Sequence, residues 1–239
     1  MLDDAAVERV LVITAHPDDV DFGAAGTVRQ WTDAGVEVVY CVCTDGDAGG
    51  FDAAIDRAEI PGIRRAEQEA AAKVVGVHDV RFLGYPDGRL TASFELRRDI
   101  SRVIRQVRPQ RALIQSPERN WARVGASHPD HLAAGTAAIA AIYPDARNPF
   151  AHPELSVQEG LAEWAVPETW LMAHPDNNHH VDITDLFDVK LAALSAHASQ
   201  TAHVDDLESR LREWYAGNAV AAGLGGGRLA ERFFVVSTA

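Results

Sequence analysis

Arg9-Val10-Leu11-Val12-Ile13-Thr14-Ala15-His16-Pro17-Asp18-Asp19-Val20-Asp21-Phe22-Gly23-Ala24-Ala25-Gly26 is the stretch that decides the fold. The run Val10 to Ile13 is short, apolar and largely β-branched. It reads as a strand buried on both faces, as in a parallel sheet. It stops at Ala15-His16-Pro17-Asp18-Asp19, where Pro17 fixes its own φ and offers no N–H, so the chain must turn. The turn presents one imidazole and two carboxylates at the carboxyl end of a buried strand. In open α/β sheets that edge binds ligands. An Ala-rich segment from Phe22 to Ala34, stopped by Gly35, reads as the following helix.

The pattern then repeats. Strands are expected at Val36–Cys43, Asp79–Leu83 and Gln110–Gln115, and helices at Pro61–Val75, Phe94–Val107 and Pro129–Ala141. Alternation of this kind predicts a doubly wound, mostly parallel (Rossmann-like) α/β sheet with helices on both faces. Pro144 to Pro167 reads as a long loop of the kind that walls a substrate site. Beyond it, strands are expected at Thr169–Ala173, His180–Ile183 and Phe233–Val236, and helices at Leu186–Ala196 and Asp205–Ala222. No repeat or linker divides the chain, so 1–239 is expected to be one domain, its part from about residue 144 carrying substrate loops.

His16 and Asp19 can both ligate a divalent metal, leaving Asp18 beside it and free to move a proton. The same string could instead be a turn in which Asp caps the next helix. A second string, Ser127-His128-Pro129-Asp130-His131, favours the metal, because His131 supplies the third ligand of a catalytic zinc site. Spacing alone does not decide between Asp18 and Asp19 as ligand, and His128 could ligate too. Asp130 is either a carboxylate favoured at a helix N-terminus or a group that orients the His128 ring.

With both strings in view the sequence resembles the LmbE-like / PIG-L family of zinc-dependent N-acetylglucosamine deacetylases. Thr44-Asp45-Gly46, Arg64-Arg65-Ala66-Glu67, Phe82-Leu83-Gly84-Tyr85-Pro86-Asp87-Gly88 and His197-Ala198-Ser199-Gln200 also match it. The resemblance implies an LmbE-like fold and Zn2+, with Fe2+ as an alternative, on His16, Asp19 and His131. It implies Asp18 as general base, His128 as the group that stabilises the oxyanion and protonates the leaving amine, and Arg64 and Asp45 as substrate-binding residues. The substrate it implies is a small N-acetylated aminosugar. A larger N-acyl group, as in thiol-conjugate amidases, is the alternative within the family. Some members carry a Tyr two residues before His128, where Ala126 stands here.

Composition bounds these readings. Asp and Glu exceed Lys and Arg by 35 to 22, a net charge of −13, which disfavours nucleic acid and anionic membranes as partners. No basic leader or membrane-length apolar run is present in the given sequence, so a cytoplasmic protein is expected. Assembly into a homo-oligomer is left open. Cys41 and Cys43 alternate onto one strand face and are expected to pack as small apolar residues. His174-Pro175-Asp176 and His152-Pro153-Glu154 repeat the motif without a second ligand and read as loop, and His180 or His197 is a candidate to complete the site. Gly23-Ala24-Ala25-Gly26 lacks dinucleotide-binding spacing. Two His and one carboxylate would also suit a non-haem Fe(II) oxygenase, which has no use for Asp18 as a base. A non-catalytic binding module would need neither that base nor an open coordination position.

Overall fold

The computed structural model describes residues 1–239. Strands β1 (Arg9–Thr14), β2 (Glu37–Thr44), β3 (Asp79–Tyr85), β4 (Arg111–Gln115), β5 (Glu168–Met172), β6 (His179–Asp182) and β7 (Ala230–Ser237) form a seven-stranded sheet in the order β3-β2-β1-β4-β5-β7-β6. The pairings β3-β2, β2-β1, β1-β4 and β4-β5 are parallel, and β7 runs antiparallel to both β5 and β6. The sheet is therefore mixed and mostly parallel, and its strand order reverses between β1 and β4.

The helices are α1 (Asp19–Asp33), α2 (Ile60–Val74), α3 (Phe94–Val107), α4 (Pro129–Ala140), α5 (Pro153–Val157), α6 (Phe187–Ser195), α7 (Ala198–Thr201) and α8 (Leu207–Ala221). Side-chain alternation along the strands sorts the core into two layers. Leu11, Ile13, Val39, Cys41 and Cys43 pack with the apolar faces of α3 and α4. Val10, Val12, Val38 and Tyr40 pack against α1 and α2. Val10 to Ile13 are at most 1% exposed, each contributing about 1.5–3 kcal/mol relative to solvent exposure. Burial pushes the Cys41 thiol up to about 12 and raises the Cys43 thiol well above its ordinary value, so both are inert packing groups.

Two expectations shift. Helix α1 begins at Asp19, ahead of the Ala-rich pattern, because Asp19 and Asp21 sit in its first turn, where the helix dipole favours carboxylates. The Pro144–Pro167 segment contains α5, which starts at Pro153, a residue suited to a first helical position.

A buried ion pair fastens α1 to the rest of the molecule. Lys190 of α6 and Glu231 of β7 meet at 2.7 Å with both side chains fully buried. Lys190 Nζ also donates to the Asp21 and Phe22 carbonyls, and Glu231 accepts from the Gly26 and Thr27 amides and the Thr27 hydroxyl. Helix α1 and the chain just after β6 approach closely here, since a Cβ on Gly26 would stand 2.6 Å from an Ile183 methyl.

Lys190→Met is expected to destabilise the fold by about 3–5 kcal/mol, because it strands the Glu231 charge. Chemical denaturation checks this. Adding Glu231→Gln to Lys190→Met is expected to recover part of the loss, and an unchanged midpoint in the single variant would contradict the role of the pair.

Candidate metal centre and active site

The turn after β1 is fixed from both neighbouring strands. The Ala15 amide donates to Gln115 Oε1 of β4 at 3.0 Å. The Ala15 carbonyl accepts from the Thr44 amide and hydroxyl of β2, at 2.8 and 2.9 Å. Asp18 then adopts φ 94°, the left-handed region that a non-glycine residue enters at a cost of about 1–3 kcal/mol. Its amide donates to Gln68 Oε1 at 2.8 Å, and its carboxylate accepts from Arg64 at 3.1 Å. Although Asp18 occupies the N-cap position of α1, its side chain makes no cap hydrogen bond. The Asp19 carboxylate accepts from the His16 amide at 2.7 Å.

Three donor residues converge. His16 Nδ1 lies 3.3 Å from His131 Nε2 and 3.5 Å from Asp19 Oδ2, and His131 Nε2 lies 2.9 Å from Asp19 Oδ1. Ligands about 2.0–2.1 Å from a tetrahedral metal stand about 3.3 Å apart, so this set fits one cation. The far nitrogens are engaged elsewhere. His131 Nδ1 faces the Ala126 carbonyl at 3.2 Å, and His16 Nε2 faces Asp87 at 3.0 Å and Asp130 at 3.3 Å. With protons on those far nitrogens, both near nitrogens aim lone pairs at one point, the carboxylate–histidine arrangement of metal sites.

Electrostatics point the same way. Burial lowers the proton affinity of His16, yet Asp130, Asp19 and Asp87 together push its pKa up to about 12. Burial would raise Asp19, but His131 and His16 hold it well below the carboxylate range. The pocket thus carries a surplus of negative charge that a cation would offset. Burial, and next the Asp19 charge, push Asp18 up to about 7, against Arg64.

His128 Nδ1 accepts the Asp130 amide at 3.2 Å, so a neutral His128 carries its proton on Nε2. Burial, then the nearby His16 and His131, lower its pKa. The rings of His16 and His128 meet edge-on with centroids 5.0 Å apart. A His128 nitrogen lies within 4.8 Å of nitrogens of His16 and His131, and atoms of His16, Asp87 and Asp130 form a second group of that span. The Asp130 oxygens in that second group already accept from the Gly88 and Leu90 amides at 2.7 and 3.2 Å. The Asp130 carboxylate therefore faces the His16 ring and the loop after β3, while its amide holds the His128 ring.

Arg64 is buried and donates to the Pro17 carbonyl at 2.6 Å, the Gly46 carbonyl at 3.2 Å and Asp18. It clamps the turn that carries Asp18. Gly46 has φ 65°, and a Cβ there would stand 2.4 Å from Arg64 Nη1, which explains the glycine in Thr44-Asp45-Gly46. Asp45 is turned toward Arg65, which grips it through both carboxylate oxygens at 2.7 and 2.8 Å.

Sequence reading missed Asp87, Gln68 and Gln115. Asp87 had a signal, since it stands between Pro86 and Gly88 at the carboxyl end of β3, but the two glutamines had none. His197 reaches the outer layer of the site: its Nε2 and the Gln68 amide both contact Asp21 Oδ2, at 2.8 and 2.9 Å. His180 lies on β6, paired in register with Arg232. His174 stacks on Phe234 in a loop, with centroids 4.3 Å apart, and His152 pairs with Asp145 at 3.2 Å. Neither joins the cluster. A cavity of about 390 Å3 opens beside Asp19 and His131, walled by Phe22, Met172, Trp214 and Tyr215.

Comparison with known proteins places this geometry. The model of the family PIG-L, GlcNAc-PI de-N-acetylase, matches residues 11–142. The chain is 34% identical to diacetylchitobiose deacetylase of Thermococcus kodakarensis, over 81% of this chain and 70% of the relative. It is 34% identical to a probable N-acetyl-alpha-D-glucosaminyl L-malate deacetylase 2 of Bacillus cereus, over 85% of this chain and 89% of the relative. The solved N,N'-diacetylchitobiose deacetylase of Pyrococcus horikoshii, complexed with its inhibitor MPG, superposes with a TM-score of 0.88 at 31% identity, covering 97% of this chain and 85% of that one.

His16→Ala and His131→Ala are expected to lose bound metal, while His174→Ala keeps it. Asp87→Asn and Asp130→Asn keep the ligands but loosen His16, and are expected to weaken metal affinity about 10- to 100-fold. Metal analysis after dialysis, with a chelator competition, checks each. Stoichiometric metal in both His16→Ala and His131→Ala would overturn the site.

Proposed function

The chain belongs to the PIG-L family, and on that footing we propose that it is a metal-dependent hydrolase removing the N-acetyl group from a small N-acetylglucosamine-containing molecule. The observation that carries this reading is the convergence of His16 Nδ1, His131 Nε2 and Asp19 beside a second carboxylate, Asp18, which Arg64 holds. The named relatives act on diacetylchitobiose and on N-acetylglucosaminyl malate, which sets the substrate class.

Two imidazoles and one carboxylate suit zinc, and iron(II) takes the same donors. Zinc held there supplies a Lewis acid for the amide carbonyl and brings the pKa of a coordinated water to about 7. The rest of the chemistry belongs to the chain. Asp18, free of ligation and raised toward neutrality by burial and Asp19, accepts the proton of the attacking water. Arg64 and Gln68 hold it in a strained backbone conformation that keeps its carboxylate at the site. His128, its Nδ1 capped by the Asp130 amide, presents Nε2–H to the oxyanion, and Asp18 passes the proton it took from water to the departing amine. Acetate and a free aminosugar leave. An oxygenase reading would leave the Asp18 clamp without purpose.

Asp18→Asn is expected to retain metal and lower kcat about 10²- to 10⁴-fold with little change in KM. The base works deprotonated, so kcat/KM should rise with pH through the Asp18 pKa and then level. A bound dication lowers that pKa, so the limb lies below about 7 and should vanish in Asp18→Asn. Asp19→Asn should instead weaken metal binding and recover partly with excess zinc. The opposite rescue pattern would mean that ligand and base are exchanged.

A further inference from the structure

The cavity beside Asp19 and His131 is also lined by Arg123 and Arg232. Neither guanidinium has a carboxylate within 4.0 Å, in a chain with 35 acidic residues against 22 basic ones. Other arginines are conspicuously paired: Arg97 with Asp145, Arg102 with Glu159 and Arg111 with Glu168, each at 2.8 Å. Two cations left unpaired on one cavity wall call for an explanation.

The carboxylate next in sequence does not neutralise them. Glu231 is committed to Lys190 and to the α1 amides. His180, opposite Arg232 in the sheet register, is held toward its neutral form by burial and by the Arg232 charge. The Arg123 guanidinium carbon lies 3.7 Å from the centroid of the Trp214 ring. Stacking fixes the plane of a guanidinium and leaves its in-plane N–H groups free to fork onto an oxyanion. Backbone geometry sets the residue there. Arg123 departs from helical dihedrals at φ −146°, ψ 71° inside the tight turns of Trp121–Ser127, and its amide is held by Asn120 Oδ1 at 3.1 Å. Burial, and the like charge of Arg232, both depress its proton affinity. Two like charges on one cavity lining are relieved by a bound anion.

We propose that Arg123 and Arg232 receive an oxyanion, a carboxylate or a phosphate, carried on the aglycone of the aminosugar substrate. This rests on the deacetylase reading above. The cavity joins the two functions, since Asp19, His131, Arg123, Arg232 and Trp214 all line it. An uncharged aglycone would leave both cations facing empty solvent in a partly desolvated pocket. Arg123 and Arg232 are thus specificity-determining residues that separate charged from neutral N-acetylglucosaminides.

The test uses the zinc-loaded full chain and three glycosides of N-acetylglucosamine that differ only in aglycone: methyl, a 2-hydroxy-acid carboxylate and a glycerol phosphate. Amine release gives kcat and KM, and titration calorimetry gives affinity independently of turnover. At least one charged glycoside is expected to exceed the methyl glycoside about tenfold or more in kcat/KM, mainly through KM, with the same order in affinity. The better of the two charged aglycones identifies the oxyanion. Arg123→Gln and Arg232→Gln should each reduce the charged-to-neutral ratio about tenfold. Equal affinity for all three glycosides in the unaltered protein would overturn the proposal even if neither variant folds. Amine release from all three at equal rates would overturn it while leaving the deacetylase reading intact. Charged-over-neutral binding without amine release from any glycoside would instead retain the anion site and remove the deacetylase reading.

Discussion

Everything at the mouth of the sheet depends on one imbalance, the gathering of Asp19, Asp87 and Asp130 around the single imidazole of His16. Buried carboxylates are tolerated only when paired or when they hold a cation. In the protein without metal the imidazole itself must take that part, which is why its pKa is driven up to about 12. On the proposed reading, a dication between His16, Asp19 and His131 would accomplish the same neutralisation, since both imidazoles could then remain neutral and direct lone pairs inward. The cluster is costly to assemble without a cation and becomes favourable with one, so metal binding and local order are expected to be coupled.

The fold explains why such a cluster can be built at all. The strand order reverses between β1 and β4, so the loops after these adjacent strands diverge and leave a crevice. His16, Asp18 and Asp19 follow β1, and His128, Asp130 and His131 follow β4. Asp87 follows β3 and completes the far side of the His16 ring. The turn after β1 cannot drift, because Ala15 is bonded to β2 and β4 at once. Nor can α1 slide along its axis, because Lys190 and Glu231 grip its backbone groups. Precision in a few side chains therefore rests on backbone hydrogen bonds that reach well beyond them.

The legible part of this in the sequence was whatever depends on local period and local turn chemistry. The β1 run, the α3 limits Phe94–Val107 and the two His-Pro-Asp turns follow from apolar alternation, capping and the restrictions of proline. The cap alternative for Asp18 could not be dismissed from sequence, because only three-dimensional contacts place its side chain on Arg64 and away from the α1 amides. The partner of Asp130 was likewise hidden. A residue two positions from His128 is the obvious neighbour along the chain, yet helix geometry turns its carboxylate toward His16, from another strand. Gln68 and Gln115 carry no charge pattern or motif, and their importance is purely positional. Arg64 read as a substrate contact, whereas its burial and its bonds to the Pro17 and Gly46 carbonyls place it under the turn.

The residues proposed for chemistry and those proposed for selectivity come from different parts of the chain. His16, Asp18, Asp19, Asp87, His128 and His131 all fall within residues 11–142, the span matched by the family model. The opposite wall of the cavity is drawn largely from Met172, Trp214, Tyr215 and Arg232, beyond that span. This division follows from the architecture. Parallel strands β1 to β4 must keep their register for His16, Asp19 and His131 to meet, so little can change there without loss of the cluster. The antiparallel β7 and helix α8 line the cavity with residues such as Arg232, Trp214 and Tyr215, whose side chains can be exchanged while the backbone stays in place. Arg123 is the proposed selectivity residue inside the matched span, and it lies in the non-helical break of an irregular turn, where a side chain can be redirected without disturbing a strand. A shared hydrolytic centre can in this way accept different aglycones through changes confined to one wall.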